Sequence, residues 1–270
     1  MYYILYNPLS SNGKLNKRMK KLKKLLKEEY EVYNLFVFDL KNVDKNNKFI
    51  IIGGDGTIHY LINYLKENNI KNEIYFYKGG TGNDFCREFK EELININKLL
   101  DNLPMVEYNN EKHYYINGVG FGVDGLICHL VNNVNKKKNS FNYFKSTLKS
   151  FITFKRYKLE VEIDNKKYSF KRVLFSTVTN GKYFGGGMNL SPKSNRFDND
   201  LEFVIVYNIP LIILFLCFPL IYFGIHKYFL PKRWFKIIKG RNFYLKSDRP
   251  LFLQEDGEVT RNIDTIKISI

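Results

Sequence analysis

The loop GGDGT, from Gly53 to Thr57, constrains the fold of this chain more than any other feature of its sequence. It follows the apolar run FIII, which is typical of a buried strand, and it precedes apolar residues at helical spacing. Glycine backbone lets a phosphate approach closely, and the start of a helix supplies unpaired N–H donors with positive potential. We therefore predict a phosphate-binding βα turn with Asp55 beside a magnesium-bound phosphate. A tight turn capped by Asp55 is the alternative.

Two other polar loops follow predicted strands in the same part of the chain. The loop GGTGND, from Gly79 to Asp84, follows the strand-like run IYFY, and NPLSS, from Asn7 to Ser11, follows YYILY. In open α/β sheets, ligands bind outside the carboxyl ends of neighbouring strands. Three strand ends are therefore expected to face one phosphate-bearing ligand.

The first hundred residues alternate strand-like runs with helical patterns, which predicts βαβ units. The predicted strands are Tyr2 to Tyr6, Val32 to Phe38, Phe49 to Ile52 and Ile74 to Tyr77. From about His113 onward, alternating and β-branched runs predict a mainly antiparallel β domain. We therefore predict an α/β domain over residues 1–108 and a β domain over residues 109–270.

The excess of positive charge favours an anionic partner. The 270 residues include 43 Lys and Arg against 27 Asp and Glu, a formal net charge of +16. Phosphorylated ligands or an acidic membrane surface would fit this charge, and no nucleic acid is predicted as a partner because no recognition motif for it occurs. The three cysteines are widely spaced and no secretory signal is recognised, so a cytoplasmic protein is expected.

Two segments could contact a membrane. Ile209 to Gly224 is almost purely apolar but short for a spanning helix, and two prolines interrupt it. It is interpreted either as a buried helix or as an apolar surface that enters a bilayer interface. Asn135 to Lys158 mixes lysines with aromatic residues, which predicts either a helix with a solvated face or a contact for anionic lipid. Its apolar residues at helical spacing are Phe141, Phe144, Leu148, Phe151 and Ile152.

The loops match neither the Walker A pattern nor the dinucleotide fingerprint GxGxxG after the first strand. Together they resemble the diacylglycerol kinase catalytic-domain family, the soluble bacterial lipid kinases. That family's motifs NPxSG, GGDGTxN, GTxNDFA, GxGxDA and DGE have counterparts here in NPLSS, GGDGTIH, GTGNDFC, GVGFGVDG and DGE, in the same order and over essentially the whole chain. GGDGT alone is shared with NAD kinases and resembles loops of phosphofructokinases, whereas the five motifs together are specific.

The resemblance implies a Rossmann-like, phosphofructokinase-like nucleotide-binding domain, a C-terminal β-sandwich domain and an active site in the cleft between them. It implies ATP and Mg²⁺ as cofactors, Glu258 as the general base, and Asp55, Asp84 and Asp124 as the magnesium and water network. For Glu258 the alternative is a solvated acid in a D-G hairpin turn. The residues that the resemblance assigns to nucleotide binding are Asn7, Pro8, Ser10, Ser11, Gly53, Gly54, Asp55, Gly56, Thr57, His59, Gly80, Thr81 and Asn83.

The run NRFDND resembles the family's DGxLD loop, which holds a second, structural metal. Carried over, the Asp198 side chain and the carbonyls of Asn195 and Asp200 would be its ligands. A plain Asx turn is the alternative. The sequence departs from the family's motifs at Ser11, at His59 and at Asn199, which puts nucleotide or magnesium affinity in doubt rather than the reaction class.

The resemblance implies a lipid kinase that transfers the γ-phosphate of ATP to a membrane lipid hydroxyl, most simply diacylglycerol giving phosphatidic acid. We expect the enzyme to bind the inner face of an anionic membrane peripherally, and the resemblance leaves a homodimer open. The alternatives are an NAD kinase-like small-molecule kinase and a catalytically inactive member that binds nucleotide and membrane.

Overall fold

The computed structural model describes residues 1–10, 15–80, 82–132 and 149–270. The chain forms two compact units. The first comprises Met1–Leu103 with Gly185–Gly187, and the second comprises Pro104–Phe184 with Met188–Ile270. The division falls slightly before residue 108, where the sequence placed it, because β6 (Met105–Tyr108) pairs with the C-terminal strand β16 (Glu258–Ser269) of the second unit.

The first unit is an α/β sheet with strand order β2-β1-β3-β4-β5, in which β5 alone runs antiparallel. Its strands are β1 (Tyr2–Tyr6), β2 (Tyr30–Asn34), β3 (Lys48–Gly53), β4 (Glu73–Lys78) and β5 (Leu93–Asn95). Its α-helices are α1 (Leu15–Leu25), α2 (Asp55–Asn68) and α3 (Asn97–Leu100), and the 3-10 helices are Leu40–Asn42 and Phe85–Glu88. The prediction of an α/β unit is confirmed.

The placement of GGDGT follows from burial on either side of it. Residues 49–52 of β3 are fully buried, and α2 buries Ile58, Leu61 and Ile62. The strand and the helix must therefore both lie against the core, and the loop turns sharply between them. β3 ends at Gly53 and α2 begins at Asp55, as the sequence predicts.

The second strand was predicted at Val32 to Phe38 and lies instead at Tyr30–Asn34. Asn34 ends it, because its side-chain Oδ1 accepts a hydrogen bond from Phe36 N at 3.0 Å and its carbonyl accepts one from Phe38 N at 3.1 Å. This Asx turn brings the Phe38 ring back onto Tyr33, with ring centroids 4.7 Å apart. The apolar run was wrongly interpreted as a continuous strand because aromatic packing after a turn leaves the same residue pattern.

The second unit is rich in antiparallel strands, and the prediction of its class is confirmed. The remaining strands are β7 (Glu111–Tyr114), β8 (Gly118–Gly122), β9 (Tyr157–Ile163), β10 (Lys166–Thr179), β11 (Tyr183–Phe184), β12 (Met188–Asn189), β13 (Leu201–Tyr207), β14 (Phe235–Gly240) and β15 (Asn242–Glu255). Its helices are α4 (Val123–Asn132), α5 (residues 149–153), α6 (Leu211–Tyr222) and α7 (His226–Phe229).

Two long strands fold this sheet onto itself. The first halves of β10 and β15 both pair with β9, and their second halves both pair with β8. Register shifts interrupt each strand between its two halves, which lets it bend from one layer to the other. The enclosed core contains Phe121, Tyr157 and Phe203, and the Tyr157 hydroxyl donates to the Phe121 carbonyl within it.

The apolar segment from Ile209 to Gly224 contains α6. Pro210 is its N-cap, Pro219 lies inside it, and Gly224 follows it with φ of +69°. Leu214 is the one buried residue of the helix, so the interpretation of this segment as a buried helix is wrong. Within the described parts of the chain, we find no helix with the length and apolar character that crossing a membrane requires.

Of the basic and aromatic stretch from Asn135 to Lys158, residues 149–158 are described. Phe141, Phe144 and Leu148 lie outside the described residues. Phe151 is in α5 and packs edge-on against Phe215 and Phe218 of α6, with ring centroids 6.4 and 5.8 Å apart. The described end of the stretch therefore lies beside the apolar helix.

Candidate active site

We number the polar loops of the first unit in chain order: NPLSS is the first loop, GGDGT the second and GGTGND the third. A side-chain hydrogen bond joins the first loop to the second. Asn7 Nδ2 donates to Thr57 Oγ1 at 2.9 Å, and Thr57 Oγ1 also accepts a bond from Gly54 N at 3.4 Å. Asn7 Oδ1 accepts a bond from Leu9 N, and the Asn7 carbonyl accepts bonds from the amide and hydroxyl of Ser10. Asn7 therefore shapes its own loop and holds it against the start of α2.

Asp55 joins the second loop to the third. It is the first residue of α2, and its two carboxylate oxygens accept hydrogen bonds from the amides of Asp84 and Phe85, each at 3.1 Å. These bonds occupy the carboxylate with backbone donors of the neighbouring loop. The structure thus brings together the three loops that follow β1, β3 and β4.

The glycines let these loops touch. A Cβ atom on Gly80 would lie 2.6 Å from the Cα atom of Gly54, and one on Gly54 would lie 2.9 Å from the Cα atom of Gly80. Neither distance is compatible with a side chain. Gly56 differs, because a Cβ atom there would meet nothing within 4 Å. The start of α2 therefore presents open backbone at Gly56, where an anion could approach the N-terminus of the helix.

Asp84 is the buried carboxylate of this loop cluster, with 6% of its surface exposed. Its Oδ2 atom accepts a hydrogen bond from Gly186 N at 2.7 Å, whereas Oδ1 has no hydrogen-bond partner among the described residues. Arg87 Nε lies 3.9 Å from Oδ1. Burial first, and then the charge of Asp55, raise the pKa of Asp84 to about 6. Such a carboxylate has a free lone pair to offer a cation.

Asn83 and Arg18 shape the third loop. Asn83 has a left-handed backbone with φ of +53°, and its side chain exchanges two hydrogen bonds with the backbone of Gly80. Arg18 donates from α1 to the carbonyls of Gly79 and Gly80. Sequence reasoning missed Arg18, the one arginine of α1, because the lysine-rich pattern does not indicate a partner for it on the third loop.

In the second unit, the DGE motif forms the turn of the β15–β16 hairpin. Asp256 and Gly257 have φ of +48° and +101°, as a two-residue D-G turn requires. The Asp256 carboxylate accepts hydrogen bonds from three successive amides, those of Ile116, Asn117 and Gly118, at 2.7 to 3.1 Å. Glu258 begins β16 with an exposed side chain. Asp256 therefore fixes the turn, and Glu258 keeps its carboxylate accessible.

Asp124 lies in the first turn of α4, close against β8. A Cβ atom on Gly120 would lie 1.3 Å from Asp124 Oδ2, so only glycine fits opposite it. Gln254 Nε2 donates to the same oxygen at 3.4 Å, while Gln254 Oε1 accepts a bond from Gly257 N at 2.9 Å. Burial raises the pKa of Asp124 to about 7. Gln254 thus connects this carboxylate to the hairpin turn.

The charge of Glu258 acts on Cys128, a residue of α4 like Asp124. The pKa of the Cys128 thiol is raised to about 12 by burial first and then by the charges of Asp124 and Glu258. The thiol is therefore protonated and inert near neutral pH. Asp124 and Glu258 accordingly belong to one acidic region of the second unit, beside Cys128.

A second acid of the hairpin was missed in the sequence. Glu255, 4% exposed, accepts a hydrogen bond from the Tyr108 hydroxyl, and its Oε2 lies 3.6 Å from His113 Nδ1. These partners come from β6 and β7, far away in the sequence. No local motif could have indicated that Glu255 supports the turn from its inner side while Glu258 points outward.

The predicted second metal site has ion pairs in the structure. Asp198 Oδ2 lies 3.8 Å from Lys239 Nζ, and Asp200 Oδ1 accepts a bond from Arg241 Nε at 3.1 Å. Asn195 Oδ1 accepts a bond from Phe197 N, which is the Asx-turn geometry that the sequence left open. In residues 1–10, 15–80, 82–132 and 149–270, no group of three or more His, Cys, Asp or Glu side chains is placed to hold a metal. The assignment of a metal to this loop stays a prediction.

The remaining predicted residues are placed as follows. Pro8 is exposed in its loop, and His59 is half-buried in the second turn of α2, where its carbonyl accepts a bond from Asn63. Ser11 and Thr81 lie outside the described residues. Gly54 and Gly80 are at the contact between loops described above, and the Gly53 carbonyl accepts a hydrogen bond from Gly79 N.

Profiles of two known domains match this chain. The diacylglycerol kinase catalytic domain matches residues 1–110, and the YegS C-terminal NAD kinase beta sandwich-like domain matches residues 117–267. The α/β unit and the β-rich unit correspond to these two domains. The chain belongs to the diacylglycerol kinase catalytic-domain family of lipid kinases, as its five motifs predicted.

Individual relatives agree with this class. The chain is 30% identical over 243 residues to the protein named "Putative lipid kinase YtlR" of Bacillus subtilis (strain 168), covering 80% of this chain and 75% of that protein. It is 28% identical to a "Putative lipid kinase" of Staphylococcus carnosus (strain TM300), covering 56% of this chain and 52% of that protein. A solved structure from Bacillus anthracis str. Sterne, described as a putative diacylglycerol kinase, has the same fold, with a TM-score of 0.68 at 19% identity over 99% of this chain and 91% of that chain.

Replacing Gly80 by Ala should destabilise the first unit, because the added methyl group cannot fit against the Gly54 backbone. We expect a loss of about 1 to 3 kcal/mol in the free energy of unfolding, measured by urea titration. Gly56→Ala adds the same methyl group in open space within a helix and should be neutral or stabilising by up to about 1 kcal/mol. Equal effects of the two substitutions would contradict the loop contact.

Asp124→Asn should stabilise the protein in a pH-dependent manner. The folded-state pKa of about 7 lies above the ordinary value of 3.8, so the ionised carboxylate opposes folding above pH 7, and the penalty fades as pH falls towards 4. We expect a higher melting temperature than wild type at pH 8, with a gain on the order of 2 kcal/mol that shrinks by pH 5. The exposed Asp264→Asn is the control. A gain that does not change with pH would argue against burial as its cause.

Proposed function

We propose that this protein is an ATP-dependent lipid kinase that transfers the γ-phosphate to the hydroxyl of a membrane lipid, with diacylglycerol as acceptor and phosphatidic acid as product. The observation that carries the proposal is the loop cluster of the first unit, in which the Asp55 carboxylate joins two glycine loops beside the buried carboxylate of Asp84. Family membership supports the kinase class, and the named relatives support a lipid acceptor.

The first unit supplies the elements that ATP phosphates need. The start of α2 offers amides and positive potential at the exposed Gly56, and contact between Gly54 and Gly80 leaves no side chain to obstruct the approach. Asn7 and Thr57 fix the neighbouring loop. Phosphoryl transfer depends mainly on such positioning and on charge neutralisation.

Mg²⁺ is the metal that the resemblance implies, and the loop cluster offers it one buried carboxylate oxygen, Asp84 Oδ1. Asp84 Oδ1 is buried without a hydrogen-bond partner among the described residues, and burial first, then the charge of Asp55, raise the pKa of Asp84. Magnesium is commonly bound by one or two carboxylates together with substrate phosphates and water. We therefore assign Asp84, assisted by the charge of Asp55, to hold the metal, which would neutralise phosphate charge when bound.

The second unit supplies the base in this proposal. Glu258 is exposed at the start of β16, and Asp256 and Gln254 fix the turn that positions it. An accessible carboxylate can accept the proton of the lipid hydroxyl as its oxygen attacks phosphorus. Asp124, with a pKa near 7, can hold or release a proton close to neutral pH.

The function is tested by transfer of labelled γ-phosphate from ATP with magnesium to a panel of lipids in mixed micelles. Diacylglycerol should become labelled, and a sphingoid base, ceramide and a polyprenol serve as alternative acceptors. NAD is included because the C-terminal domain resembles that of NAD kinases. Label on NAD alone, or no label despite measurable ATP binding, would overturn the proposal.

Glu258→Gln should lower kcat by about 10²- to 10⁴-fold, the usual contribution of a general base, and leave ATP affinity unchanged. The fold should persist because the Glu258 side chain is exposed. The matched control is Glu160→Gln, an exposed acid of β9. ATP affinity is measured by calorimetry, and turnover close to wild type in Glu258→Gln would exclude the role of this residue as base.

A further inference from the structure

Helix α6 exposes apolar side chains on the face that a globular protein normally makes polar. Ile212, Leu216, Pro219 and Phe223 recur at helical spacing along this outer face, and the side chains of Ile212, Leu216 and Phe223 are 74%, 69% and 73% exposed. The opposite face packs into the core through Leu214. The helix is therefore apolar all round although one side faces solvent.

Neighbouring elements extend this apolar face. Tyr228 and Phe229 of α7 are 74% and 62% exposed, and Ile152 of α5 is 57% exposed beside Phe151, which contacts α6. We call the exposed apolar residues of α5, α6 and α7, with Phe223, the apolar face. A cluster of exposed apolar residues on neighbouring elements marks a docking site, because isolated apolar residues are common on surfaces but clusters are not.

A positively charged groove adjoins the apolar face. It has a volume of about 600 Å³, and Tyr228 lines it together with five lysines, Lys193, Lys227, Lys232, Lys236 and Lys239. We call it the lysine groove. Glu202 is the one acidic side chain among the described residues that line it, and Glu202 is 3% exposed. The groove therefore presents positive charge beside apolar side chains.

Two acids lie beside these lysines: Glu202, which is buried, and Asp198, whose Oδ2 lies 3.8 Å from Lys239 Nζ. From Phe203 to Ser247 there is no Asp or Glu, whereas the same segment contains Lys227, Lys232, Arg233, Lys236 and Lys239. Arg233 lies over the ring of Trp234, 4.6 Å from its centroid. An aromatic side chain beside cations at the edge of an apolar surface is typical of a membrane interface.

We propose that the apolar face and the lysine groove together form a docking surface for an anionic lipid bilayer. The apolar side chains would enter the boundary between headgroups and acyl chains, and the lysines would contact lipid phosphates. The proposal deepens the proposed function and rests on it only in taking the acceptor to be a membrane lipid.

A second copy of the chain fits this surface less well. A symmetric dimer would place each apolar face on its counterpart and bring two lysine grooves together. Without acids in the segment, those positive charges would repel each other at close range. An anionic bilayer satisfies both the apolar and the charged parts of the surface.

The test measures binding of the full chain to sucrose-loaded vesicles that contain neither ATP nor an acceptor lipid, so a failure of docking is distinguished from a failure of kinase activity. Vesicles of phosphatidylcholine alone are compared with vesicles that also contain phosphatidylglycerol. We expect binding to the anionic vesicles and at least tenfold weaker binding to the neutral ones. Equal binding to both, or to neither, would overturn the proposal.

Matched variants separate the two parts of the surface. Ile212→Ser with Leu216→Ser should weaken binding to anionic vesicles by about tenfold or more, since each aliphatic side chain withdrawn from lipid loses its burial. Val37→Ser, which changes a side chain 81% exposed in the first unit, is the control and should bind as wild type does. Unchanged binding in the double variant would contradict insertion of the apolar face.

The role of positive charge is tested at two exposed lysines of the groove, with the double variant Lys193→Glu and Lys232→Glu. We expect binding to fall by about tenfold, and we expect the exposed pair Lys45→Glu with Lys71→Glu in the first unit to have a smaller effect. Equal losses in the two pairs would indicate attraction by net charge alone and overturn the groove's role. Melting curves of each variant exclude misfolding as the cause.

Trp234 provides a local readout, since it is the single tryptophan of the chain and contacts the core beside α6 and α7. Its fluorescence should be quenched by shallow brominated lipids in anionic vesicles and remain unquenched in the Ile212 and Leu216 variant.

Analytical ultracentrifugation tests the alternative that a second copy of the chain covers the apolar face. Self-association that the Ile212 and Leu216 variant abolishes, without vesicle binding by the wild type, would show that a second copy covers the face instead.

Discussion

Two backbone hydrogen bonds to the Asp55 carboxylate hold the candidate nucleotide site together. They come from the amides of Asp84 and Phe85, so an acid at the start of one helix determines where the next loop lies. Gly54 and Gly80 then touch along their backbones. Together with the pairing of β3 and β4, this attachment fixes the start of α2 relative to the buried carboxylate of Asp84. The geometry that a phosphate ligand requires depends on it.

The second unit uses the same device at the DGE turn. Asp256 accepts hydrogen bonds from three successive amides, much as Asp55 accepts two, and in each case a neighbouring acid is left for chemistry. In the function proposed above, Asp84 is that acid in the first unit and Glu258 is that acid in the second. Motif acids therefore divide into those that organise backbone and those whose lone pairs remain available, a division that follows from hydrogen-bond partners rather than from residue type.

The apolar helix α6 is only partly buried. Its inner face packs through Leu214, and its outer face exposes Ile212 and Leu216 beside the lysine groove. Such exposure is unfavourable in water, so a surface of this composition is stable in a cell when something covers it. The proposed bilayer contact supplies that cover and places the protein where a lipid acceptor is found.

The sequence by itself determined the α/β unit, the β unit and the loops at the ends of β1, β3 and β4, because strand and helix periods and glycine-rich turns are local properties. It misplaced β2, since aromatic residues after the Asn34 turn continue the apolar pattern. Only the tertiary structure decided that Arg18 binds the third loop, that Glu255 is buried against Tyr108, and that α6 is exposed. These contacts join residues distant in the chain, and no local pattern records which distant partner a side chain will meet.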